Sequence, residues 1–168
     1  SRRVPEDALR FAWDVGASAA GGGRLLVSGR AEGCDSAAAA GAHLAGGNVA
    51  EVLPCGLEAA GGRRRGTWLS VCAPEEPFSR PSAMERNALI YAFSPDAVVC
   101  HARFREGGSW HGAVDAARRR LTRLWIREAD DAASRALRAL GALPVRSPAD
   151  LASASAPPPA AEGLFAFG

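Results

Sequence analysis

Apolar positions along the chain switch between two spacings, one helical and one extended, and the switches fall at glycines and prolines. Val4-Pro5-Glu6-Asp7 opens a helix expected to run to about Ala20, with Ala8, Leu9, Ala12, Trp13, Ala17 and Ala20 as its apolar stripe. Gly21-Gly22-Gly23 ends it. The run 24–27 then reads as a strand, breaks at Ser28-Gly29, and crosses a short loop to Gly33. Asp35 is the N-cap candidate of the Ala-rich helix that follows over 36–44. Short strands are expected over 48–53, stopped by Pro54 and Gly56, and over 67–72. The stretch 73–81, with three prolines, reads as a loop. Ser82 then caps a helix over 83–93, with Glu85 in a capping-box position and Leu89, Ile90 and Phe93 on a common face.

Residues 97–100 are nearly all apolar, which suits a strand covered on both faces. A helix over 109–120, a strand over 121–126, an acid-headed helix over 128–140 ending at Gly141, and a short strand over 143–145 complete the pattern. Strands alternating with helices predict an α/β fold, a doubly wound, mainly parallel sheet flanked by helices, in which ligands sit at the carboxyl ends of the strands. The organisation expected is one domain over 1–151 and an Ala/Pro-rich tail over 152–168. The tail's composition buries little, so it reads as extended or disordered, although its last six residues are apolar enough to dock on this domain or a partner.

Two strand-to-helix turns carry the candidate chemistry. In the first, Gly29 and Gly33 let the backbone approach a ligand, and the helix behind them offers free N–H groups and the positive end of its dipole. In the second, Gly107, Gly108 and Ser109 expose backbone donors and a hydroxyl at the start of another helix. Arg86 and Asn87 lie in the first turns of the helix over 83–93, whose start is expected at the same edge. Phosphate oxygens are the ligand these groups suit.

Ser28-Gly29-Arg30-Ala31-Glu32-Gly33-Cys34-Asp35 is similar to the S-G-x-A-x-G-x-D signature of the DprA (Smf) DNA-processing proteins. Gly41-Ala42-His43-Leu44-Ala45-Gly46-Gly47, Val52-Leu53-Pro54-Cys55-Gly56-Leu57-Glu58, Glu85-Arg86-Asn87-Ala88-Leu89-Ile90 and Gly141-Ala142-Leu143-Pro144-Val145 resemble further segments of that family in order. Gly107-Gly108-Ser109-Trp110 stands where the family has S-G-S-L. The resemblance implies a Rossmann-like nucleotide-binding domain, with Ser28, Gly29, Arg30, Gly33, Arg86, Asn87, Gly107, Gly108 and Ser109 contacting phosphate or nucleic acid. It implies single-stranded DNA or a nucleotide phosphate as ligand, a RecA-type recombinase as partner, and a homodimer working in the cytoplasm in DNA processing, recombination and transformation. Ser1-Arg2 looks like the tail of the family's V-G-S-R strand, so the first strand of the fold is expected to be missing.

Departures from the pattern are chemical. Glu32 and Ala88 stand where the family has arginines, which removes positive charge from the expected strand path. Arg30 and the run Arg63-Arg64-Arg65 are the candidate compensation. The alternative within the same superfamily is a nucleoside 5'-monophosphate phosphoribohydrolase, faintly suggested by Met84-Glu85-Arg86-Asn87, but the glutamate its motif requires falls on Val114. A degenerate nucleotide-sensing domain is the third reading.

The remaining composition narrows the classes. Net charge is +2 and all basic residues are arginine, so totals do not mark a polybasic protein. Cys34, Cys55, Cys72 and Cys100 are far apart with no C-x-x-C pair, which indicates neither a zinc site nor a disulfide framework. They read as small apolar residues in a reducing compartment. His43 and His101 lack metal-ligand spacing, Trp110 reads as a packing residue or a base-stacking one, and His111 as structural or acid–base. No cofactor, metal or catalytic residue is expected. No apolar run approaches the ~20 residues that span a bilayer.

Overall fold

The computed structural model describes residues 4–62 and 66–152. The expectations placed on Ser1-Arg2, on Arg63-Arg64-Arg65 and on the tail from 153 onward lie outside those residues. Elements alternate in the order α1 (Glu6–Gly21), β1 (Leu26–Ser28), α2 (Cys34–Leu44), β2 (Val49–Val52), β3 (Thr67–Leu69), α3 (Arg80–Ala92), β4 (Asp96–Val99), α4 (Gly107–Arg119), β5 (Arg123–Arg127), α5 (Ala132–Ala139), β6 (Leu143–Val145) and α6 (Pro148–Ala152).

All strand pairs are parallel, as the apolar strands led one to expect. They form two three-stranded sheets, β1-β2-β3 and β4-β5-β6, with Val27 level with Ala50 and Val99 with Ile126. β1 and β4 each pair on one side only, and both line a cavity of about 680 Å³. The single sheet expected from the pattern is thus divided at this point among the described residues.

β5 shows why the strands must be apolar throughout. Leu124 and Ile126 face a core made with Trp110, Ala113, Ala133 and Leu137 of α4 and α5. Trp125 points the other way, into a cluster with Phe11, Ala12 and Val15 of α1, Ala38 of α2 and Val145 of β6. Both faces are covered, which is the doubly wound arrangement. The second cluster also ties α1 and α2 to the strands of the β4-β5-β6 sheet, so α1 bridges the two halves.

The buried positions of α1 are Ala8, Phe11, Ala12, Val15 and Gly16, an i, i+3, i+4, i+7, i+8 stripe. The expected stripe was displaced around the helix: Trp13 is 40% exposed, while Phe11 and Val15, which it omitted, are core residues. Small residues set the distance to α2. A Cβ on Gly16 would stand 1.9 Å from the Ala38 carbonyl oxygen, and one on Gly41 2.1 Å from the Trp13 carbonyl oxygen.

Other boundaries moved for local reasons. Ser79, not Ser82, caps α3, accepting from the Ser82 N–H at 3.1 Å. Pro81 sits inside the first turn, where a missing N–H costs no bond, and so does not extend the loop. The buried residues of α3 are Ser82 and Arg86, and Phe93 is 56% exposed, so the expected apolar face is not its packing face. α5 starts late because Asp131 caps it, accepting from the Ser134 N–H at 2.7 Å.

Asp96 at the start of β4 accepts from Arg123 Nε (2.5 Å), Arg123 Nη2 (2.9 Å) and Trp125 Nε1 (2.8 Å). Burial alone would raise its pKa, but these bonds outweigh burial and lower it.

Two outcomes follow. Gly16→Leu overpacks the α1–α2 contact and destabilises the fold by about 1–3 kcal/mol or more, read as a fall in urea midpoint; an unchanged midpoint refutes the close approach. The stability that Asp96 contributes is present above the ordinary carboxylate value of about 3.9 and is lost as pH falls through its lower folded value. The stability gap between the native chain and Asp96→Asn therefore closes on acidification, and a gap that is constant with pH refutes the assignment.

Candidate nucleic-acid interface

The loop after β1 is closed on itself. The Asp35 carboxylate, in the first turn of α2, accepts from the Gly29 N–H at 2.9 Å and the Ala31 N–H at 3.2 Å, and the Ser36 hydroxyl donates to the Ala31 carbonyl at 2.9 Å. Asp35 is therefore not the N-cap. That position is Gly33, at φ 97°, where a Cβ would also stand 2.9 Å from Val4 Cγ2. The donors offered by Gly29 and Ala31 are spent on Asp35, and the N–H groups of Cys34, Asp35 and Ser36 at the helix start have no backbone partner among the described residues.

Arg86 stands behind this loop. It is 8% exposed, and its Nη1 donates both to the Gly29 carbonyl and to the Val52 carbonyl, the latter at 3.0 Å. It thereby joins the ends of β1 and β2 to α3. A Cβ on Gly29 would stand 2.0 Å from that Nη1, so glycine is required for contact with the guanidinium. Burial lowers the Arg86 pKa, and the charge of Asp35 opposes that. Its Nε is buried without a partner among the described residues, as is the Ser28 hydroxyl. Next to it, Asn87 Nδ2 donates to the Gly108 carbonyl at 3.4 Å, linking α3 to the start of α4.

α4 begins at Gly107, with Glu106 as an N-cap whose side chain makes no cap bond and instead pairs with Arg103 at 3.0 Å. Among the described residues the N–H groups of Gly107, Gly108 and Ser109 have no backbone partner, and Ser109 is exposed. Two helix starts thus face the cleft at the carboxyl ends of β1 and β4. Ser28, Gly29, Arg86, Asn87, Gly108 and Ser109 line the cavity between them; Arg30, Gly33 and Gly107 do not.

Arg30 turns over β2 and β3 of its own sheet. Its backbone is left-handed, φ 57°, its guanidinium lies 4.4 Å over the Trp68 ring, and its Nε is 3.7 Å from Glu51 Oε2. The guanidinium is therefore partly neutralised, although its side chain remains 40% exposed. Glu32 is exposed beside it.

An aromatic element escaped the sequence reading. Trp110 is buried and packs edge-on, ring centroids 5.0 Å apart, against Phe104, which is 41% exposed with the Arg105 guanidinium stacked on it. The signal was present as Arg103-Phe104-Arg105, an aromatic between two arginines next to a glycine-rich helix start. Burial lowers the pKa of neighbouring His101 despite the opposing charge of Asp131, which keeps it neutral at neutral pH. Among the described residues, no His, Cys, Asp or Glu cluster is placed to hold a metal, and no helix is long and apolar enough to cross a membrane.

Removing Arg86 leaves two inward-facing carbonyls without their donor. Arg86→Ala therefore lowers stability by about 1–3 kcal/mol in urea unfolding, and an unaltered midpoint would show that the two bonds contribute nothing.

The fold is shared with solved structures. DNA processing protein A (DprA) from Streptococcus pneumoniae superposes with a TM-score of 0.79 at 22% identity, covering 91% of this chain and 59% of that one. The chain thus spans less than two thirds of that protein's length. DNA processing protein A from Helicobacter pylori, whose structure addresses its single-stranded DNA binding mode, gives 0.75 at 19% identity, covering 90% and 74%. The molybdenum cofactor binding protein from Rippkaea orientalis gives 0.67 at 19% identity, covering 90% and 87%. No curated protein matches the sequence. The family model described as DNA recombination-mediator protein A matches residues 1–153, nearly all of the chain and the whole of the described fold, in agreement with the resemblance carried by Ser28 to Asp35 and the segments that follow. On that match, the chain belongs to the DNA recombination-mediator protein A family.

Proposed function

We propose that this chain binds single-stranded DNA in the cleft at the carboxyl ends of β1 and β4. The observation that carries the reading is the pair of helix starts: Cys34 and Asp35 of α2 and Gly108 and Ser109 of α4, whose N–H groups have no backbone partner among the described residues, line one cavity together with Arg86. Backbone donors at the positive ends of helices hold phosphate without regard to sequence. Phe104, exposed and braced by Trp110, supplies a face on which a base stacks, with Arg105 beside it. The Helicobacter pylori relative, described for its binding of single-stranded DNA, supports the ligand class.

Within this reading Arg86 is a positioning residue that holds Gly29 in place, and Arg30 adds charge at the rim. Transfer of the DNA to a RecA-type recombinase, action as a homodimer and a cytoplasmic location accompany the reading; the family description, a recombination mediator, supports the first. The hydrolase alternative loses its acid: Val114 packs against the α4 core where the glutamate would be needed.

The test is fluorescence anisotropy of a labelled oligo-dT strand at low and near-physiological salt, with AMP as competitor. The expected result is binding that weakens steeply with salt and resists AMP. Phe104→Ala should lose about 1–3 kcal/mol of affinity with the fold unchanged. Absence of binding at low salt, or displacement by AMP at stoichiometric levels, would overturn the reading.

A further inference from the structure

Cys34 is the first residue of α2, directly behind the Gly29–Gly33 loop, and Cys100 follows the last residue of β4. They belong to opposite halves of the divided fold. Their side chains nevertheless meet in one cluster with Val15, Ala38 and Trp125, and both line the cavity. The two thiols are close enough for each to shift the acidity of the other.

The environment makes them unequal. The proximity of Cys100 holds the Cys34 thiol below its ordinary value, against burial and the charge of Asp35. The same proximity, with burial, pushes Cys100 well above its own. Cys34 also lies at a helix N-terminus, whose dipole favours a thiolate, and it is the more exposed of the two. An attacking thiol beside a shielded resolving thiol is the arrangement of a redox pair.

We propose that Cys34 and Cys100 form a reversible disulfide that ties the start of α2 to the end of β4 across the candidate DNA site. The oxidant is a small-molecule disulfide of the glutathione class. The Cys34 thiolate attacks one of its sulfurs, forming a mixed disulfide and releasing one glutathione thiolate. Cys100 then gives up its proton and displaces the second glutathione as its sulfur bonds to Cys34. Protein dithiol and one oxidised glutathione become protein disulfide and two reduced glutathiones. The bond pins the N–H groups at the α2 start to β4 and stops the cleft from adjusting to a phosphate strand. This consequence rests on the DNA reading; the formation of the bond does not.

The experiment is titration of the reduced chain with oxidised glutathione, followed by intact mass and non-reducing peptide mapping, with oligo-dT anisotropy on the same samples. A net loss of two hydrogens, a Cys34–Cys100 linked peptide, reversal by dithiothreitol and loss of the link in Cys34→Ala are expected. Cys55 and Cys72, on either side of Ser70, are the internal control. A glutathione adduct alone, a link involving Cys55 or Cys72, or no change would overturn the pair. The oxidised form should bind oligo-dT about tenfold more weakly, within the usual range of coupling between two sites; equal binding would overturn the regulatory consequence. If the reduced chain fails to bind oligo-dT, the DNA reading falls while the mass result still decides the disulfide.

Discussion

A single desolvated cation organises the site. Arg86 can be buried because its Nη1 finds two carbonyl oxygens, at Gly29 and Val52, and because the charge of Asp35 opposes the cost of burial. Each partner is constrained in turn. Gly29 can carry no side chain, since a Cβ would collide with the guanidinium and lie 3.0 Å from Asp35. Asp35 must keep its carboxylate on the Gly29 and Ala31 amides, which makes it a brace of the loop. Gly29, Asp35 and Arg86 therefore act as one unit, and the free donors of α2 lie where that unit leaves them.

The electrostatic character of the cleft comes from direction more than from total charge. The chain carries a net charge of only +2, Glu32 is exposed on the loop, and Glu51 partly neutralises Arg30. What remains positive toward the cavity is the pair of helix starts, with a buried arginine behind them. Helix-terminal donors act over the first turn, so their effect depends on where the two helices end relative to each other. That placement is set by packing: α1 bridges the halves through Phe11, Val15 and Trp125, and Asn87 links α3 to Gly108.

Much of the fold was legible in the residues. The alternation of apolar runs with helical spacing, broken at Gly29, Gly56 and Gly141, was enough for a parallel α/β arrangement, because a strand buried on both faces leaves no polar alternation to hide. The two glycine turns at strand ends were visible for the same reason. Capping was harder to read. Asp35 and Ser82 both look like N-caps in isolation, and both lie inside their helices, since the side chain that caps is decided by which backbone amides lie within reach. The face of α1 was misjudged because Trp13 and Leu9 look like core residues by type, whereas α2 approaches so closely through Gly16 and Gly41 that no large side chain fits there.

By itself, then, the sequence determined the strand-and-helix order, the family, and the two glycine turns at the carboxyl ends of strands. These follow from local spacing and from motifs written in neighbouring residues. The tertiary structure alone decided that Arg86 faces carbonyls, that Arg30 leans on Trp68 and Glu51, that Phe104 stands exposed over a buried Trp110, and that Cys34 meets Cys100. Apart from Phe104 and Trp110, six residues apart, each of these is a contact between segments distant along the chain. Its geometry depends on how the helices pack over the two sheets, and no local pattern encodes that.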